Sequence, residues 1–160
     1  MALFRANGSG FILAPKNLER LMNSKIRVNR NQLNYFKRVA REQSPLEIMA
    51  YFVGKVVSPT LTVIERFEYT KNYYEQTPTT VSWLVDEYDR VKKEADEDGL
   101  VIVGSIHSHP NYFPILSNTD CSTHVTEQVR VSGVYGFIGK KGMVCFWVSE
   151  SFQPLKKEYV

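Results

Sequence analysis

The sequence predicts an α/β (α+β) domain in which a mixed, largely antiparallel β-sheet is flanked by helices. Three observations carry that expectation. Two runs with strand character, residues 46–57 and 60–69, follow one another closely. Segments with apolar residues at helical spacing stand before and after them. An apolar run rich in β-branched residues, Leu100-Val101-Ile102-Val103, then lies between the second helical segment and a terminal hairpin, where a central strand would lie.

Residues 1–24 read as an extension, with a flexible Ala6-Asn7-Gly8-Ser9-Gly10 stretch and a short helix over 16–22. Residues 25–160 read as the domain. Ile26 to Val28 suit a short strand. Asn29 with Gln32 three residues on resembles a capping box. Leu33, Phe36, Val39 and Ala40 give the following helix one apolar stripe, and Pro45 stops it. Residues 46–57 are almost wholly apolar, as in a strand buried on both faces. Glu47 is the exception. An unpaired buried glutamate is costly, so it either frays into water at the strand end or is kept there for a purpose.

Residues 60–69 alternate, with Leu61, Val63, Phe67 and Tyr69 on one face and Thr62, Arg66 and Glu68 on the other. Ile64 and Glu65 break the pattern. The two strands are expected to pair antiparallel. Residues 71–80 read as a polar loop holding Tyr73 and Tyr74. Val81, Leu84, Val85, Tyr88 and Val91 predict a second helix, with Gly99 as its stop and an acidic, solvated end. The strand over 100–103 then leads to a histidine pair. Ser117 or Asn118 can cap a third helix reaching residue 129. Residues 135–138 and 143–148 suit a hairpin about Lys140-Lys141-Gly142.

A chain of 160 residues with 43% apolar and 23% charged residues can bury a proper core and has the composition of a folded soluble domain. No apolar run approaches the roughly 20 residues of a membrane span. The first residues lack the basic start, apolar segment and processing site of a signal peptide. Two cysteines, Cys121 and Cys145, are too few for a disulfide framework, which fits a cytoplasmic setting. Charge is uneven: nine of the 20 Lys and Arg fall in residues 1–43, against two of the 17 Asp and Glu. A solvated basic face accounts for this, and an acidic partner could meet it. The lack of an aromatic platform or reader motif argues against nucleic acid.

The chemistry concentrates in Gly104-Ser105-Ile106-His107-Ser108-His109-Pro110, followed by Ser117-Asn118-Thr119-Asp120. Alternate residues of an extended chain share a face, so His107 and His109 can converge. Asp120 can return a carboxylate after the loop. Two imidazoles and one carboxylate leave one position of a tetrahedral Zn²⁺ open, which is the arrangement of a catalytic site. Chance would assemble His-x-His with Ser-x-x-Asp at this distance in on the order of one chain in a thousand of this length. Surface histidines beside a capping serine are the plain alternative.

These two segments, with Pro45-Leu46-Glu47-Ile48-Met49-Ala50-Tyr51-Phe52-Val53-Gly54 upstream, resemble the signature of the JAMM (MPN+, JAB) zinc metalloproteases. The resemblance implies the MPN/JAB, cytidine-deaminase-like sandwich. It also implies that His107, His109 and Asp120 hold Zn²⁺ and that a water takes the fourth position. Glu47 would then take that water's proton and deliver it to the leaving amine, and Ser117 would donate to the oxyanion. Glu47 thereby acquires a purpose. The implied substrates are conjugates or precursors of ubiquitin or a ubiquitin-like protein, whose extended C-terminal peptide tail could add as a strand. Tyr112 and Phe113, with Tyr73 and Tyr74, are candidates to line that peptide, with core packing or plain surface exposure the equal alternative for each. Ser105 stands where many deubiquitinating members have tryptophan, and Ala50 replaces a common glycine.

Two other functions compete. A metal-free MPN-type binding or scaffold module would lack one or more ligands, whereas Glu47, His107, His109, Ser117 and Asp120 are all present. A non-haem iron oxygenase also uses two histidines and a carboxylate, but it does not need Glu47. Ser108 must point away from its histidine neighbours and so supports the strand. His124, one helical turn past Asp120, reads first as an ordinary helix-surface histidine and second as a candidate to orient that ligand. Cys121 with His124 lacks the third group that a thiol protease needs to orient its histidine.

Overall fold

The computed structural model describes residues 24–117, 130–148 and 153–160. Its elements, in order, are β1 (Lys25–Val28), α1 (Arg30–Glu42), β2 (Met49–Ser58), β3 (Leu61–Tyr69), β4 (Tyr73–Gln76) and β5 (Val81–Trp83). There follow α2 (Val85–Glu97), β6 (Val101–Pro110), β7 (Val131–Ile138), β8 (Lys141–Val148), β9 (Gln153–Pro154) and β10 (Lys156–Tyr159). One sheet runs β10-β1-β3-β2-β6-β7-β8-β9, and β4 with β5 forms a separate ribbon. Pairs β2/β3, β2/β6, β7/β8 and β8/β9 are antiparallel, whereas β1 runs parallel to β10 and β3, and β6 parallel to β7. The expected mixed sheet with an antiparallel majority is what forms.

Strand alternation divides the core into two layers. Ile48, Ala50, Phe52 and Ile106 project to one face, where they pack with Leu33, Phe36 and Ala40 of α1. Met49, Tyr51 and Val53 project to the other, against Trp83 of β5 and Val91 and Ala95 of α2. Together these layers cover the sheet on both sides, which is why β2 reads as a continuous apolar run rather than an alternating one. No helix among the described residues is long and apolar enough to cross a membrane.

Several local expectations change. Asn29 does cap α1, its side chain accepting from the Asn31 and Gln32 amides at 2.9 and 3.2 Å. Gln32 does not complete the capping box, because its side-chain amide donates to the Glu65 carbonyl at 3.2 Å. Glu65 itself is a bulge: Val53 pairs with Arg66 and Gly54 with Ile64, so Glu65 has no partner on β2. The bulge reverses the phase of β3. Thr62 and Ile64, rather than Leu61 and Val63, therefore share the buried face with Phe67.

Residues 71–80 are not a plain loop. They contain β4 and the turn of a β4–β5 ribbon, and β5 takes the residues expected to open the second helix. Helix α2 accordingly begins at Val85, which is 73% exposed, and not at Val81. The β7–β8 pairing extends the first strand of the predicted hairpin back by four residues, to Val131. The third helix expected after Ser117 lies outside the described residues.

Two short strands were not expected at all. Only Leu155 separates β9 from β10, yet β9 bonds β8 and β10 bonds β1, at opposite ends of the sheet. Leu155 N–H donates to Phe146 O at 2.9 Å and Lys156 N–H to Ser24 O at 3.3 Å. Residues 153–159 thus strap the two edges of the sheet together.

Candidate functional site

The site forms where the β2–β6 ladder ends. Met49 pairs with His107 in antiparallel register. Two residues further, the same register sets Glu47 opposite His109, and cross-strand partners share a face. Glu47, His107 and His109 therefore meet on the α2 side of the sheet. All three are buried, at 6–7% exposure. The strand expected over 100–103 runs on through Pro110, so both histidines are held by ladder hydrogen bonds rather than by a loop.

Their nitrogens converge. His107 Nε2 and His109 Nε2 are 3.0 Å apart, and Glu47 Oε1 is 4.0 Å from His109 Nε2. His109 Nδ1 lies 3.0 Å from the Phe113 carbonyl oxygen. A carbonyl only accepts, so Nδ1 carries the proton of the neutral ring and Nε2 keeps its lone pair. That is the tautomer a metal ligand needs. Two imidazole nitrogens on one tetrahedral zinc stand roughly 3.3 Å apart, close to the separation found. The pair thus fits a divalent ion by its donor chemistry. Among the described residues no three His, Cys, Asp or Glu side chains form a complete metal-binding group. Asp120, the third expected ligand, lies outside the described residues, as do Cys121 and His124. Ser117 is described and exposed.

Glu47 precedes the first residue of β2, and its backbone is held by other means. Its N–H donates to Thr77 O at 2.9 Å, and Gln76 Nε2 donates to its carbonyl at 3.0 Å. Both partners belong to the β4–β5 ribbon or its turn. On the other side, Ile48 N–H donates to Ser108 Oγ and Ser108 N–H to Ile48 O, each at 2.9 Å. Ser108 thus faces away from the histidines and locks the two strands, as expected. Tyr73 takes the core alternative: it packs against the α2-side core and its hydroxyl accepts a long bond, 3.5 Å, from Met49 N–H. Burial pushes its phenol above the ordinary value, so it stays protonated at neutral pH. The ribbon is the functional element missed in the sequence. Its signal was Val81-Ser82-Trp83, β-branched and aromatic residues behind the Thr77-Pro78-Thr79-Thr80 turn.

Tyr112 and Phe113 are 55% and 61% exposed on the loop after β6. The Tyr112 ring stands 6.2 Å from the His109 ring and 6.0 Å from Phe113. Tyr74 is exposed on the ribbon. The loop rests on Gly136 of β7, where a Cβ would come within 2.3 Å of Pro114 N and 2.6 Å of Tyr112 O. Gly136→Ala must lift the loop and the Phe113 carbonyl from His109. The expected loss is about 1–3 kcal/mol of stability, read as a lowered denaturant midpoint; an unchanged midpoint would show that the loop is free to yield.

Comparison with known proteins identifies the fold and the family. The family of prokaryotic homologs of the JAB domain, Prok-JAB, matches residues 32–149. COP9 signalosome complex subunit 5a of Arabidopsis thaliana is 32% identical over 113 residues, covering 59% of this chain and 31% of that protein. The chain therefore spans less than a third of that relative's length. A solution structure of a Desulfitobacterium hafniense protein superposes with a TM-score of 0.67 at 18% identity, covering 84% of this chain and 92% of that one. The crystal structure of a JAB1/MPN domain protein from Archaeoglobus fulgidus gives a TM-score of 0.55 at 18% identity, covering 85% and 98%. These two likenesses show the fold. The match over residues 32–149 shows the family, and the chain belongs to Prok-JAB, the prokaryotic homologs of the JAB domain.

Proposed function

We propose that this domain is a zinc-dependent isopeptidase or peptidase that hydrolyses the bond after the C-terminal tail of a ubiquitin-like protein. One observation supports the reading above others: the Nε2 atoms of His107 and His109 converge at 3.0 Å beside the buried Glu47 carboxylate. His107, His109 and Asp120 would hold the ion. When bound, zinc supplies Lewis acidity that lowers the pKa of a water toward about 7 and polarises a carbonyl. Glu47 accepts a proton from the attacking water and passes it to the leaving amine. The Ser117 hydroxyl donates to the oxygen on which negative charge develops. Tyr112 and Phe113 flank the approach and offer apolar surface to an extended tail.

The test is a cleavage assay on a ubiquitin-like protein carrying either a C-terminal extension or an isopeptide-linked partner. Chelation is expected to abolish turnover, and added zinc to restore it. Turnover that survives complete metal removal would sink the proposal. Zinc-independent binding of the tail without turnover would make the domain a scaffold module instead.

A further inference from the structure

Helix α1 carries a feature that the peptidase chemistry does not use. Arg30, Asn34, Lys37 and Arg41 recur at positions that share one side of the helix. That side borders the seam where the strap joins the two sheet edges. The Arg30 guanidinium lies 4.9 Å over the Tyr159 ring of β10. Lys157, also on β10, crosses the seam to donate from Nζ to Val144 O of β8 at 2.9 Å. Burial, and then the nearby Lys157 ammonium, push the Lys37 amine below its ordinary value. Arg41 donates to Tyr135 Oη at 2.8 Å, Gly139 O at 2.6 Å and Lys140 O at 3.1 Å. It thereby draws the exposed Lys140–Lys141 turn against the helix end.

Every partner in this set is a neutral oxygen or a ring. Among the described residues, none of Arg30, Lys37, Arg41, Lys140, Lys141 and Lys157 pairs with a carboxylate, whereas Arg90, Lys92 and Lys93 of α2 all do. Like charges gathered without counter-charges repel, and a half-buried ammonium loses hydration as well. An anion laid along the seam would relieve both effects. From Arg30 to Arg41 the stripe runs about 16 Å along the helix axis. Roughly five residues of extended chain span that distance.

We propose that this seam is a docking groove for an acidic, extended peptide segment of a partner protein. Its carboxylates would lie beside Lys37, Lys157 and the Lys140–Lys141 turn, with Arg30 and Arg41 adding field at the two ends. Single-stranded nucleic acid fits less well, because it binds by stacking bases on free aromatic faces. Here Arg30 covers the Tyr159 ring, and Tyr135 and Phe137 are buried beneath Arg41. Each of the three Arg41 guanidinium nitrogens is already bonded to a protein oxygen, so the group is held in place rather than presented as an open fork to a phosphate. The groove is on the α1 face, opposite Glu47 and the histidines, so it stands independently of the peptidase reading.

Fluorescence anisotropy on the full chain tests it, with a labelled peptide of alternating Glu and Gly and a labelled oligothymidylate for comparison. The peptide is expected to bind saturably and more weakly as salt rises. The double variant Lys37→Glu/Lys157→Glu should lower its affinity by about tenfold or more. Lys140→Glu/Lys141→Glu, in an exposed turn where folding is not at stake, should lower it in the same direction. Zinc content should be unchanged in both variants. Absence of saturable peptide binding, tighter binding of the oligonucleotide, or undiminished binding by the turn variant would each overturn the assignment.

Discussion

Glu47→Gln is expected to keep the fold and the bound zinc and to lower kcat by roughly 10²–10⁴-fold, the range for loss of a general acid–base group. The substitution preserves volume and the backbone bonds to Thr77 and Gln76, because those use the main-chain N–H and C=O. The capacity to carry a proton is removed together with the negative charge. The carboxylate stands 4.0 Å from His109 Nε2, near the histidine pair without being part of it, which is why metal content should not follow activity. Parallel measurement of zinc by atomic absorption and of kcat on a tail-extended substrate checks this. Cleavage at the native rate would remove Glu47 as the proton carrier.

His107→Ala is expected to empty the zinc site and abolish turnover together. The His107 ring packs in the buried end of the ladder with its centroid 4.8 Å from that of His109. Truncation removes one of two converging nitrogens and leaves a void that a metal cannot bridge. Because a ligand that binds only the folded state stabilises it, the native protein should melt higher with zinc than after chelation, while the variant should show no such difference. Zinc retained at the native level would overturn the ligand assignment. Read together, the two substitutions separate holding the ion from moving the proton.

The parts of this site that were legible in the sequence are those fixed by short-range periodicity. Residues two apart in a strand share a face, so the convergence of His107 and His109 followed from spacing alone. Ser108, between them, had to point the other way, and its bonds to Ile48 show that it does. Glu47 was harder. Its local surroundings marked it only as an awkward charge in an apolar run, and the resemblance to a known signature, not the pattern of hydrophobicity, singled it out. The register that sets it opposite His109 is a long-range property of β2 and β6.

What the sequence hid were features decided by tertiary pairing. A single bulge at Glu65 reverses which residues of β3 are buried, and no local pattern announces on which residue a bulge falls. The β4–β5 ribbon was read as loop and helix because Val81, Leu84, Val85 and Tyr88 happen to fit a helical period. The terminal strands are too short and too polar to read as strands: β10 is Lys-Lys-Glu-Tyr, with all four residues on the exposed side of the domain surface. Its extended form follows from pairing with β1, not from propensity.

The strap also bears on how the domain assembles. Lys25 of β1 lies between Leu61 of β3 and Lys156 of β10, so one flank of this strand is completed by residues from the far end of the chain. Closing so long a loop costs entropy before any contact rewards it, and pairings of this kind slow folding. Until residues 153–159 arrive, β1 and β8 both present unpaired backbone, the template on which chains pair wrongly with one another. The same few residues therefore cover both open edges of the sheet, a protective role carried by its least conspicuous strands.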